Sequence, residues 1–158
     1  MTAHPLRAPE VPGFVGRSRG LVTRLLRLGL PMGPNVLMTV VGRKTGLART
    51  VPVAILRANG KDYLFAAFGE TGWVHNLRAA GEATIHHGRR RRAVRAVEID
   101  QDTAARVLEI GLRSVLPFPV IGPMIAGWYG IDRRSTSADF AASARIHPAF
   151  ELTPAERT

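Results

Sequence analysis

The sequence predicts an α+β fold that is mainly β: an antiparallel, partly closed barrel of about six short strands flanked by two or three helices. Three observations predict it. Residues 37–41, 51–56 and 63–68 are apolar and β-prone, and the turn signals Gly42-Arg43-Lys44-Thr45-Gly46 and Asn59-Gly60 separate them, as in a β-meander. A second pair of such runs, 83–87 and 93–99, flanks a turn at Gly88. Connections are short and strands do not alternate with long helices, which argues against a βαβ sheet.

In chain order, residues 1–13 form a polar tail, 14–152 a single domain and 153–158 a second tail. Leu21, Val22, Leu25, Leu26 and Leu28 give 14–30 a partial helical stripe, with Arg17, Arg24 and Arg27 on other faces. That helix either packs on the barrel or touches anionic lipid. Pro31, Gly33 and Pro34 end it. After the meander, 73–78 reads as one or two turns of helix with Trp73, Asn76 and Leu77 on one side. Four arginines, Arg89 to Arg92, would alternate faces in a strand, so they read as a solvated hairpin tip and edge. Asp102 is the expected N-cap of a helix reaching about Arg113.

Residues 115–131 are apolar but broken by Pro117, Pro119, Gly122, Pro123 and Gly127. A span would need about 20 helical residues, so the segment reads as an apolar lid, a pocket wall or a shallow membrane-touching loop. Residues 132–137 are expected to be flexible. A last strand over 144–152 is expected at an edge, because Pro148 cannot donate to a ladder.

Composition narrows the chemistry. Without cysteine there is no disulfide, thiolate metal site or cysteine nucleophile, and with no secretory signal pattern the expected place is the cytoplasm. The net charge of +10 points to an anionic partner, or to solubility and a codon bias towards arginine, since Lys44 and Lys61 are the only lysines. Nucleic acid is not expected: aromatics are 6% of the chain and none interleaves with the basic clusters. His75, His86, His87 and His147 carry no metal-binding spacing, so no metal is expected.

The first turn is the leading candidate site. Arg43, Lys44 and Arg49 bring three cations, with the hydroxyls of Thr45 and Thr50 beside them, and two glycines let the backbone bend closely. The group suits a phosphate or carboxylate; a plain basic turn is the alternative. It is neither a Walker loop nor a dinucleotide fingerprint. Trp73 and Asn76, one helical turn apart, offer an aromatic plane and an amide, or else a core tryptophan and a polar cap residue.

Taken together, VVGRKTGLARTVPVAIL, YLFAAFG and GWVHNLRAAGEATIHHG resemble the deazaflavin-dependent nitroreductase family of actinobacteria, closely over 37–88 and more weakly outside. The resemblance implies an FMN-binding split-barrel-like fold and an oxidoreductase using coenzyme F420, an 8-hydroxy-5-deazaflavin with a phosphate and an oligoglutamate tail. Carried over by motif, Arg43, Lys44, Thr45, Arg49, Thr50, Val51, Pro52, Val53 and Ala54 would line the cofactor. Ala66, Ala67, Phe68 and Gly69, then Trp73, Val74, His75 and Asn76, would continue the lining. Hydride would pass from the reduced cofactor to a small hydrophobic acceptor such as a quinone or enone. Tyr129 is the one tyrosine in the part where pretomanid-type nitroreductases carry several at the substrate site, and so the candidate catalytic residue. The segment before Trp73 is shorter here, reduced to Glu70-Thr71-Gly72, which puts nitroimidazole reduction in doubt. The alternatives are an FMN- or heme-binding barrel, an F420 carrier without turnover, and a non-enzymatic module for anionic lipid or nucleic acid. Peripheral membrane contact through 14–30 or 115–131 and a homodimer are further expectations.

Overall fold

Strands β1 (Asn35–Val41), β2 (Ala48–Ala58), β3 (Lys61–Phe65), β4 (Glu82–His87), β5 (Arg90–Glu98) and β6 (Ala149–Pro154) close into an antiparallel barrel in the order β1-β2-β3-β6-β5-β4. Helices α1 (Gly72–Ala80), α2 (Gln101–Arg113), α3 (Ile121–Tyr129) and α4 (Ser137–Ala144) pack around it. This computed structural model describes residues 35–156 continuously and 20, 21, 23–25, 27 and 28 before them. Those of the earlier group from 20 to 27 are helical, as expected, while the rest of 14–30 and the tail 1–13 lie outside the described residues.

Side chains alternate across each strand, and the apolar set of one parity fills the barrel. Val36, Met38 and Val40 of β1, Val51, Val53 and Ile55 of β2, Ile85, Val94, Phe150 and Leu152 form that core. Val74 and Leu77 of α1, both fully buried, join it and plug one end. At the other end Asp62 bridges two arginines, 3.7 Å from Arg57 and 2.7 Å from Arg92. A second core lies outside the barrel, where Tyr63, Phe65 and Ala149 meet Leu108 and Leu112 of α2, Tyr129 of α3 and Phe140 of α4.

The turn chemistry acts as expected at β2–β3, where Asn59 and Gly60 both have positive φ, 52° and 75°. Four expectations need correction. The helix cap is Asp100, not Asp102: its carboxylate accepts from the Thr103 N–H at 2.8 Å and the Thr103 hydroxyl at 2.7 Å. β3 ends at Phe65, so 66–69 is loop rather than strand. Residues 132–137 are not loose, because Thr136 and Asp139 form a capping box that starts α4. Finally, β6 is no edge: it pairs with β3 on one side and β5 on the other, and closes the barrel. Pro148 is tolerated because it precedes the strand, where its carbonyl accepts from the Ala66 N–H at 2.9 Å. The strand runs to Pro154, beyond the expected boundary at 152.

Removing the plug should therefore unseat the barrel. Leu77→Ala leaves a cavity at a fully buried position and is expected to cost about 2–5 kcal/mol, read as a lower denaturant midpoint with an unchanged slope.

Candidate functional site

One strand outruns its neighbour, and that mismatch builds the site. β2 pairs with β1 from Ala48 to Ala54, but with β3 only from Ile55 to Ala58. Among the described residues no strand lies along the second edge of 48–54. Backbone polar groups on such an edge need a partner from water, a loop or a ligand. β3 ends at the same level and releases the chain into 66–69 and then α1, which packs on β1, β4 and β5.

The β1–β2 turn is a tight one and is tied to α1. Gly46 has φ 69° and its N–H bonds the Gly42 carbonyl at 2.8 Å, while the Gly42 N–H bonds the Leu47 carbonyl at 2.8 Å. A Cβ on Gly42 would lie 3.1 Å from Thr45 Oγ1 and 3.2 Å from the Leu47 carbonyl, so a side chain there would require these neighbours to shift by a few tenths of an ångström. Arg43 is tied to α1: its backbone N–H and its Nη1 donate to Asn76 Oδ1 at 3.2 and 3.0 Å. The first turn and the tryptophan helix, 33 residues apart in sequence, are thus joined directly.

Arg43, Lys44, Thr45 and Arg49 are exposed. Arg57, Lys61, Arg78, Arg92 and Arg113 each pair with a carboxylate, whereas among the described residues Arg43, Lys44 and Arg49 do not. Thr50 is not part of this group. It follows Arg49 in a strand, so it turns to the outer face, where its hydroxyl meets Thr39 Oγ1 at 2.8 Å; Thr39 Oγ1 in turn meets His86 Nε2 at 2.9 Å. Val51 and Val53 face the barrel core, leaving Ala54 exposed and Pro52 half-buried on the outer side.

The 66–69 loop is held from behind. Gly69, at φ 73°, donates to the Ala66 carbonyl at 2.9 Å, and Ala66 and Gly69 are buried. Phe68 lies in a tilted aromatic pair with Trp128 of α3, centroids 5.3 Å apart. Trp73 is half-buried against Phe150 at 6.2 Å, so much of its face serves the core. Val74 is wholly core. His75 is part-exposed, its Nε2 3.9 Å from Glu70. Glu70 and Glu98 both take Arg78, at 2.9 and 2.6 Å, and this guanidinium holds the Glu98 carboxyl below the usual glutamate range.

Tyr129 is buried with its ring 4.7 Å from that of His147, and burial pushes its phenol well above the usual range. The structure thus places the candidate catalytic Tyr129 in the second core, with its ring packed on His147. His147 is fully buried; its Nδ1 lies 2.7 Å from the Ser143 carbonyl. Desolvation pulls its pKa down, and burial does the same to His86, helped by Arg91 opposite it in the sheet.

Three features went unforeseen. Thr71 Oγ1, at the N-terminus of α1, is buried without a hydrogen-bond partner. The Thr39–Thr50–His86 network and the backing of Phe68 by Trp128 both join residues remote in sequence. Only the cross-strand pairing of Thr39 with Thr50 had a signal, the register set by the 42–46 turn.

The comparisons with known proteins follow this geometry. The family of F420H(2)-dependent quinone reductases matches residues 14–117. The chain belongs to that family. It is therefore an oxidoreductase of the F420-dependent reductases. Among solved structures, an F420-H2 dependent reductase (FDR-A) is 21% identical, with TM-score 0.52 over 76% of this chain and 94% of that one. A domain-swapped dimer is 19% identical, with TM-score 0.54 over 90% and 100%. A pyridoxamine 5'-phosphate oxidase homologue from Listeria innocua is 10% identical, with TM-score 0.50 over 87% and 93%. At these identities the structures establish the shared barrel fold. The curated proteins give no match.

The two depressed histidines give this family member a defined acid response. Their folded pKa values lie below the ordinary 6.5, so the unfolded chain takes up protons first as pH falls. Their contribution to stability is complete above pH 6.5 and is lost as pH drops from there through the folded values. Thermal melts should fall across that window, and the double variant His86→Gln/His147→Gln should flatten the fall.

Proposed function

We propose that the groove between the open edge of β2, the 66–69 loop and α1 holds F420, with its phosphate and acidic tail at Arg43, Lys44 and Arg49. The carrying observation is three exposed cations, without a carboxylate partner among the described residues, in the turn and first residues of the β2 segment that has a strand on one side only. The donor set fits the group. Guanidinium and ammonium suit a polyanionic tail, the 51–54 backbone offers amide and carbonyl groups to a ring edge, and Phe68 and Trp73 supply apolar walls. The buried, unpartnered Thr71 hydroxyl supplies one more polar group beside the loop.

When bound, the reduced deazaflavin supplies the hydride. The protein's part is to fix the ring through the β2 edge, to hold Arg43 in place through Asn76, and to seat the acceptor on an apolar surface with water kept from the ring. A solvent proton at the open groove completes reduction of a quinone or enone. Tyr129 and His147 act here as packing behind the 66–69 loop. The family description favours a quinone as acceptor.

Fluorescence titration tests the cofactor site. Arg43→Glu should weaken F420 binding by about 1–3 kcal/mol for each charge-assisted bond lost. Asn76→Ala should weaken it less, because the charge stays and only its placement is relaxed. Affinity for F420 unchanged in Arg43→Glu, or tighter binding of FMN than of F420 by the wild type, would overturn the assignment.

A further inference from the structure

Helix α3 has no charged side chain, and the Trp128 N–H and Tyr129 O–H are its only polar side-chain groups: it reads Ile-Gly-Pro-Met-Ile-Ala-Gly-Trp-Tyr. A helix that is apolar all round belongs inside a protein or in lipid. Yet one face of it, with the turn before it, lies open: Phe118 is 58% exposed, Val120 80%, Ile121 49% and Met124 41%. These are neighbours in one short stretch, unlike the other exposed apolar side chains, which are spread over different elements. From Ser114 to Ile131 the sequence holds no charged residue. Arg113, paired with Glu109, precedes the stretch, and exposed Asp132, Arg133 and Arg134 follow it.

We propose that the 117–124 face is a membrane-docking surface that seats in the interface of an anionic lipid bilayer. The helix is nine residues long, about 14 Å, which is under half the apolar thickness of a bilayer. It can therefore lie in the interface but not cross, and no helix among the described residues is long and apolar enough to cross. Pro117, Pro119 and Pro123 stiffen the exposed turn, so the loss of chain entropy on docking is small.

Charge selects lipid over a second copy of the chain. Two copies meeting through this face would bring together chains of net charge +10, each with arginines flanking the patch. An anionic lipid surface would attract those same arginines. Trp128, on the same stripe of α3 as Ile121 and Met124, contacts Phe68 of the 66–69 loop. A docked α3 would thus bring that loop to the edge of the bilayer, near an acceptor dissolved in lipid. That last consequence rests on the proposed function; the docking itself does not.

Vesicle flotation of the full chain decides it, with phosphatidylcholine alone and with an equimolar mixture of phosphatidylcholine and phosphatidylglycerol. Wild type should float with the mixed vesicles. Phe118→Ser/Val120→Ser/Ile121→Ser, all at exposed positions, should keep the wild-type melting temperature and lose about a hundredfold in partitioning. Arg133→Gln/Arg134→Gln should lose on the order of tenfold, only on the anionic vesicles. Wild type left unbound, or a triple variant that floats equally well, overturns the proposal. So does a wild-type dimer in sedimentation equilibrium that the triple variant dissolves, since the face would then be a protein interface. None of these readouts needs F420, so they fail or succeed separately from the cofactor assignment.

Discussion

The ladder between β2 and β3 stops at Ile55–Leu64, while β2 itself continues back to Ala48. That early stop is the constraint on which the rest is arranged. A barrel closed by full-length pairing on every side would have no free backbone at its wall. Here the closure is complete in order, but β2 over 48–54 has the longest run with a strand on one side only. The chain leaves β3 through 66–69 and enters α1, which packs on β1, β4 and β5. α1 does two jobs from one position: Val74 and Leu77 plug the barrel, and Asn76, on the same helix, takes Arg43. The plug is what fixes the height and rotation of the helix, so core packing sets where the Arg43 guanidinium stands.

Electrostatics divides the arginines into two groups with different work. Arg57 and Arg92 close the far end of the barrel on Asp62, and Arg78 fastens α1 to β5 through Glu98. These pairs are partly exposed, and each is worth at most about 1 kcal/mol. Arg43, Lys44 and Arg49 are placed where no carboxylate meets them among the described residues, and like charges held together in one turn destabilise the empty protein. Such a cluster is stabilised when an anion arrives. Arg89, Arg90 and Arg91 also lack a carboxylate partner among the described residues, and the 90–93 part of β5 beside them likewise has a strand on one side only. What sets the first turn apart is its tie to α1 through Arg43 and Asn76.

Much of the barrel was legible because its early strands are local. The 42–46 and 59–60 turns fix hairpins whose partners lie a few residues away, and the alternation of Val36, Met38 and Val40 shows which face is inward. What was not legible depends on distant partners. β6 looked like an edge because Pro148 was read as part of the strand, and its pairing with β3 and β5 spans most of the chain. α4 was missed because its start is set by the Thr136–Asp139 capping box within a polar stretch that resembles a loop. The site followed the same division. Arg43, Lys44 and Arg49 were visible in one turn, but Thr50 was grouped with them by proximity in sequence, although strand alternation turns it to Thr39.

The apolar stretch 115–131 shows how composition and geometry answer different questions. Composition could reject a span and leave three readings: lid, pocket wall or lipid contact. Geometry then splits the segment by face. Tyr129 and Leu116 go into the second core, Trp128 packs on Phe68 of the 66–69 loop, and Phe118, Val120, Ile121 and Met124 are exposed. Ile121, Met124 and Trp128 share one stripe of the helix, so the loop contact and the open apolar face adjoin each other. Burying four such side chains in water-free surroundings would release several kcal/mol, and a soluble surface rarely leaves that unused in one contiguous patch.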